Sequence, residues 1–328
     1  MATAVWNQSR RLMPVAGLLA AGALALGACS SAPTATPTQS GDSATTTAEG
    51  AEPEATPEPM PELPRGGYEI FPEYRLVGYS GVRFDPGSDM GRLTGDLDEV
   101  CKEIEKVGTQ YEYGKKIMPV FEFIPVVVHG SPQSDGSYRT RVKPKEVQYY
   151  LDAARRCDAL LLLNIQPGQS EFMPEMKYYE EFLTQPDVGV ALDPEWAMDP
   201  GEIPGVSLGR TDGPELNKAA QYLSQLVAEN NLPEKVMVFH QFNEAAVEKI
   251  RGLKPQPGVA LIRSIDGLGG PEDKTAKYKD LVANQPPWIH PGFKLFYKED
   301  VNPPWGSRLM TPKEVMKLRP RPDYVLYE

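Results

Sequence analysis

The sequence predicts an α/β fold, a single (β/α)8 TIM-like barrel that lacks a final helix. Three observations predict it. Apolar, β-branched or aromatic runs recur eight times after residue 66, helical patterns separate them, and polar groups gather at the ends of those runs and not at their starts. Strand–helix alternation implies parallel strands with helical crossovers, and eight such strands close a barrel. A doubly wound open sheet is the competing arrangement, but no Gly-rich phosphate turn follows the first strand.

In chain order, the first strand is Arg75–Ser80, followed by helix Leu97–Tyr113. The second is Met118–Val128, then helix Lys145–Arg156; the third is Ala159–Gln166, then helix Glu171–Leu183. Strand four is Val188–Glu195. Residues two apart on a strand share a face, so Asp193 and Glu195 point the same way as the small Gly189 and Ala191. Val188, Val190 and Leu192 pack on the other side. Helix Pro214–Glu229 leads to strand five, Lys235–Phe242, and helix Glu244–Leu253 to strand six, Val259–Asp266. Helix Lys274–Ala283 leads to strand seven, Phe293–Tyr297, and helix Pro312–Leu318 to strand eight, Tyr324–Tyr327. Glu328 follows at once, which places its carboxylate near the barrel mouth. The segment Gly66–Tyr74 is expected to close part of the opposite end.

Ahead of the barrel, Arg10 and Arg11 precede an apolar run from Met13 to Leu26, which ends in Leu26-Gly-Ala-Cys29. The run is short for a membrane span. It resembles a bacterial lipoprotein signal over residues 1–28, cut before Cys29, which would be lipidated. Residues 29–65 then form a stalk of Ser, Thr, Pro, Ala, Gly and Glu, too poor in large apolar groups to fold. Residues 66–328 are the barrel. The expected location is the outer face of the cell membrane, held by the lipid anchor.

The formal net charge is −11 at pH 7, and removal of the leader takes away two arginines and no acid. That acidity argues against nucleic acid or anionic lipid as the main partner and leaves neutral polar ligands such as glycans open. A monomer is expected. Cys101 and Cys157 are the remaining cysteines. Although an extracytoplasmic site permits a disulfide, an axial offset of two to three helical turns would separate them by about 10–15 Å, beyond the reach of about 7 Å. Free thiols are expected.

Two acids at the end of an apolar strand are costly to bury unless they are paired or do chemistry. Glycoside hydrolysis needs one carboxylic acid to protonate the leaving oxygen and a second group to stabilise or attack the sugar centre. Glu195 suits the first role, because burial and the like charge of Asp193 both favour its protonated form. Partner candidates are Asp193, Asp266 after strand six, Glu299 after strand seven, and Glu122, which lies mid-strand and deeper. The competing structural explanation is a pair of carboxylates neutralised inside the barrel by Arg263 or Lys294. Tyr79, Asn164, Gln166, His240 and Gln241 sit at strand ends where substrate would be positioned, and Trp196 and Trp305 offer platforms for sugar rings. No cofactor or metal is expected, since the histidines show no zinc-type spacing. Ser80 lies in Gly-Tyr-Ser-Gly, which is not a nucleophile elbow.

The Asp-x-Glu of Asp193 and Glu195 resembles the arrangement at strand four in glycoside hydrolase families 18 and 25. That resemblance implies that Glu195 is the acid and that Asp193 orients a substrate amide or stabilises charge. The longer acidic run of family 18 is absent, since Ala191 stands where an acid would be. The segments Phe121-Glu-Phe-Ile124, Leu161-Leu-Leu-Asn-Ile-Gln-Pro-Gly168, Ala191-Leu-Asp-Pro-Glu-Trp196 and His240-Gln-Phe242 are also similar to a group of actinobacterial secreted lipoproteins. The sequence therefore leads to a membrane-tethered, glycoside hydrolase-like barrel acting on a cell-envelope or environmental glycan. The alternative is a lipoprotein that binds such a glycan without cleaving it.

Overall fold

The computed structural model describes residues 59–83 and 90–328. The leader, Cys29 and most of the stalk lie outside the described residues. Within them, eight parallel strands close on themselves: β1 (Tyr74–Val82), β2 (Lys116–Val128), β3 (Leu160–Ile165), β4 (Val188–Leu192), β5 (Lys235–Gln241), β6 (Val259–Ile265), β7 (His290–Leu295) and β8 (Tyr324–Tyr327). Closure is made by β8 against β1, with Leu76 opposite Tyr324 and Tyr79 opposite Tyr327. Strand–helix alternation thus produced the predicted barrel, and the chain runs from β8 directly into Glu328.

Strand alternation sorts the side chains into two cores. Leu76, Val120, Leu162, Ala191, Val238, Ile262 and Leu326 fill the barrel, while Val77, Phe121, Leu163, Val190, Phe239 and Val325 face the helices. Space inside is tight. A side chain at Gly189 would place its Cβ 2.5 Å from the Val236 carbonyl oxygen, and at Gly78 2.0 Å from that of Val120. The amino-terminal end of the barrel is plugged by Leu63 and Ile70, both buried in the inner core. Arg65 donates to the Ile117 carbonyl at 3.0 Å and the Asp158 carbonyl at 3.3 Å. Leu63 and Arg65, assigned above to the stalk, therefore belong to the folded body.

The helices are α1 (Leu97–Gly108), α2 (Pro144–Arg156), α3 (Phe172–Tyr178), α4 (Glu180–Leu183), α5 (Gly213–Glu229), α6 (Pro271–Val282) and α7 (Pro312–Val315). Several differ from expectation: α1 ends at Gly108, five residues before the predicted end, with a 3-10 turn on to Tyr111, and α6 starts three residues early. The single helix over Glu171–Leu183 is broken at Tyr179, whose hydroxyl donates to the Pro125 and Val142 carbonyls. Residues Glu244–Leu253 form two 3-10 turns around Val247–Glu248, which pair as a short strand with Thr211–Asp212. That ladder, and the left-handed Lys249 (φ 53°), outweigh the local helix propensity. Helix α7 is one turn shorter than predicted.

The cysteines are a correction. Cys101 and Cys157 are joined by a disulfide, with Cα atoms 6.0 Å apart. The expected offset is absent: α1 and α2 begin within one residue of their predicted positions, but the carboxyl end of α2 lies level with the first turns of α1, where Arg156 Nε donates to Asp98 at 2.9 Å. A cross-link over a sequence separation of 56 restricts the unfolded chain by about 4 kcal/mol on the chain-entropy model. Replacing both cysteines by serine is expected to lower the unfolding free energy in urea by roughly that amount. An unchanged midpoint would show that the link adds nothing.

Candidate active site

Inward-facing positions at the carboxyl ends of the strands carry Ser80 (β1), Glu122 (β2), Asn164 (β3), His240 (β5), Ser264 (β6) and Lys294 (β7), with Asp193, Asp266 and Glu328 just beyond β4, β6 and β8. Their placement follows from the two-residue repeat that puts Val120, Leu162, Val238 and Ile262 in the inner core two residues earlier.

Glu122 is the hub. It is fully buried and accepts from Asn164 Nδ2 at 3.0 Å, His240 Nε2 at 3.1 Å and the Tyr324 hydroxyl at 2.5 Å. Burial alone would raise its pKa, but the charge and hydrogen bond of His240, with Lys294 and Tyr324, hold it at about 2. Burial would likewise lower His240, yet Glu122 keeps the imidazole above its ordinary value. The other ring nitrogen, Nδ1, lies 3.7 Å from Asp266 Oδ2. Lys294 pairs with Glu328 at 2.6 Å, and the surrounding acids Glu328, Glu122, Asp193 and Asp266 outweigh burial and hold it protonated.

Three acids behave in the opposite way. Burial pushes Asp193 up to about 7, against the pull of His240 and Lys294. Asp266 is raised by burial too. Glu195 is raised well above the ordinary carboxylate range, first by burial and then by Asp193 and Asp266. These groups titrate as a set, so the shared outcome is that protons stay in the mouth towards neutral pH. Six buried atoms around this ring have no hydrogen-bond partner: Ser80 Oγ, Asn164 Oδ1, Asp193 Oδ1, His240 Nδ1, Ser264 Oγ and Asp266 Oδ1.

Strand four ends earlier than predicted. Pro194 opens a 3-10 turn over Pro194–Trp196, so Asp193 stays inside while Glu195 and Trp196 turn out to a partly buried rim. The Glu195 carbonyl accepts from Gly209 N at 2.7 Å, which fastens this turn to the loop that follows.

The other sequence candidates are dispersed. Tyr79 faces the outer layer, where it meets Tyr297 and Tyr327 edge-on; Ser80 is its inward neighbour. Gln241 also points outward and accepts from Arg263 Nε at 2.8 Å, so Arg263 neutralises neither Asp193 nor Glu195. Gln166 is buried and accepts from Val128 N at 3.2 Å, a loop-holding contact. Glu299 is exposed, whereas its neighbour Asp300 is buried against Lys274 at 3.0 Å and accepts from Phe296 N at 2.9 Å. Trp305 is exposed in the loop after β7. Sequence reasoning passed over Ser80 and Ser264 as site groups, and Tyr324 altogether. Strand parity counted from Leu76, Ile262 and Leu326 would have found all three.

Among the described residues, no cluster of three or more His, Cys, Asp or Glu is placed to hold a metal ion. Nor is any helix there long and apolar enough to cross a membrane. The chain is a (β/α)8 barrel with a buried acid cluster at the carboxyl end of its strands, the end where enzymes of this fold keep their active sites. Comparisons with protein-family models and with curated proteins gave no match.

Proposed function

We propose that this barrel hydrolyses glycosidic bonds in a cell-envelope or environmental glycan, tethered to the outer face of the membrane through a lipid on Cys29. The observation that carries the proposal is the cluster of three carboxyl groups in which Glu195 is held protonated by burial and by Asp193 and Asp266, while His240 and Lys294 pull Asp193 and Asp266 towards their charged forms. A general acid for a weakly basic ether oxygen has to hold its proton at working pH.

Glu195, at the rim, donates its proton to the leaving oxygen as the bond to the sugar carbon breaks. Asp193 or Asp266, deprotonated beside His240, stabilises the positive charge left on the ring. Water then adds to that carbon and returns a proton to Glu195. Glu122 takes no proton, because three donors hold it ionised; it fixes Asn164, His240 and Tyr324 in place. Trp196 supplies a ring beside the acid.

The test is incubation of the folded protein with a panel of oligosaccharides, followed by mass analysis for shortened products, with a Glu195→Gln variant as control. Products from the parent alone support hydrolysis. Saturable binding without products would make this a glycan-binding lipoprotein instead.

A further inference from the structure

Between β5 and β6 the chain crosses over in 3-10 turns, Glu244–Ala246 and Ile250–Gly252, where a helix was expected. A cavity of about 310 Å³ lies between this crossover, the outer side of β6 and the last turn of α6. Arg263 lines it from β6, Leu281 from α6, and Val247 and Ile250 from the crossover.

Arg263 is 3% exposed. Burial pushes its guanidinium down only to about 10, so it is charged at neutral pH. A guanidinium has five N–H donors in one plane. Here Nε donates to Gln241 Oε1 at 2.8 Å and Nη1 to the Leu281 carbonyl, both neutral acceptors, while Nη2 makes no hydrogen bond to the described residues. Gln241 is fixed in turn, because its Nε2 donates to the Asn243 carbonyl at 2.8 Å. Among the described residues no carboxylate forms an ion pair with Arg263; the acid that acts on it from further off is Glu244. A buried charge without a paired counter-charge is costly, and its open donors face a cavity.

The charge balance of the cavity sets the ligand. Arg263, Arg251 and Lys249 line it against Glu244. Lys249 is neutralised by Asp212 at 2.9 Å, and Arg251 donates to the neutral Asn284 Oδ1 at 2.8 Å. One positive charge is left over. The adjoining cavity along α6 shares Glu244, Leu281 and Asn284 and adds Asp273 and Asp280 against Lys277, so a second negative charge would be opposed. The flat edge of a guanidinium matches a carboxylate through two parallel N–H···O bonds.

We propose that this cavity is a binding site for a small organic monocarboxylate, its carboxylate held by Arg263 and Arg251 and its apolar body packed on Val247, Ile250 and Leu281. The site lies on the outer side of the barrel wall, away from the mouth, and does not depend on the glycan reading.

The experiment is an NMR titration of the intact folded protein at pH 7 with sodium benzoate, with benzamide as the uncharged match and inorganic phosphate as the more highly charged anion. The Arg263 Nε–H resonance and the backbone amides of Val247–Gly252 are followed. Benzoate is expected to bind saturably and at least about tenfold more tightly than either other probe, about 1.4 kcal/mol, and to shift the Arg263 resonance. Arg263→Lys keeps the charge but loses the flat pair of donors, and should weaken benzoate by at least about tenfold. Because Arg263 also braces Gln241 and Leu281, two exposed variants guard against a folding defect. Arg251→Gln should weaken benzoate about threefold, and Glu244→Gln should tighten it about threefold. No saturation by benzoate, equal or tighter binding of benzamide or phosphate, or an affinity unchanged in both exposed variants would overturn the inference.

Discussion

On the proposed hydrolytic reading, replacing Glu195 by Gln is expected to lower glycan turnover by about 10³-fold, within the range for losing a general acid, and to leave the fold intact. The side chain keeps its shape and loses the proton that the leaving oxygen needs. Stability offers an internal control. An acid whose folded pKa lies above its unfolded value binds the extra proton in the folded state, so its contribution is fully present at low pH and is lost as pH rises through the folded value. Glu195 is such a group, because burial and the acids beside it disfavour its charge. At neutral pH a neutral Gln should therefore hold or raise the thermal midpoint while activity collapses. A variant that cleaves at the parental rate would remove Glu195 from the mechanism. One that loses midpoint and activity together would make it a structural residue.

Replacing Glu122 by Ala acts on stability. The carboxylate holds three donors in the barrel interior, and its removal leaves Asn164 Nδ2, His240 Nε2 and the Tyr324 hydroxyl without their acceptor. It also leaves His240 and Lys294 without their deepest counter-charge. Breaking one side of a buried ion pair costs about 3–5 kcal/mol, and urea unfolding at neutral pH should show a loss of that size. The pH dependence has the opposite sign to that of Glu195. With a folded value of about 2 against an ordinary 4.5, Glu122 contributes stability that is fully present above 4.5 and disappears as pH falls towards 2. Parent and Glu122→Ala curves should therefore converge in acid. A loss below about 1 kcal/mol at neutral pH would show that the network stabilises no more than an exposed pair does.

The barrel was legible because its determinants are local. Runs such as Leu160–Leu163 and Val236–Phe239 are apolar on both faces, as strands between a filled barrel and a helical layer must be. Parity was the weaker point. Tyr79 and Ser80 differ by one position, and so do Gln241 and His240; one residue of register moves a side chain from the mouth to the outer layer. The pairing of Gly78 with Val120 and of Ser80 with Glu122 settles it, and sequence does not print pairings. The Asp193 and Glu195 pair was found from its strand, yet Pro194 ends that strand and sends the two acids to different depths. Cys101 and Cys157 were misjudged because their separation depends on how α1 and α2 sit side by side along their axes, a non-local quantity that the helix bounds do not give. Likewise Lys294 was foreseen as a neutraliser of Asp193 and Glu195; it does pull on both, but its ion-pair partner is Glu328, four strands round the barrel from them.

The most direct test of the proposed chemistry is a carbon NMR titration of the Asp and Glu side-chain carboxyl groups in the intact folded protein, repeated in Asp193→Asn. At least one carboxyl resonance should titrate with an apparent pKa of about 7, and it should vanish or shift in the variant, because the acids of the mouth share their protons. If instead every carboxyl group titrates within about one unit of its ordinary value near 4, the mouth holds no acid at neutral pH and the hydrolytic reading is wrong.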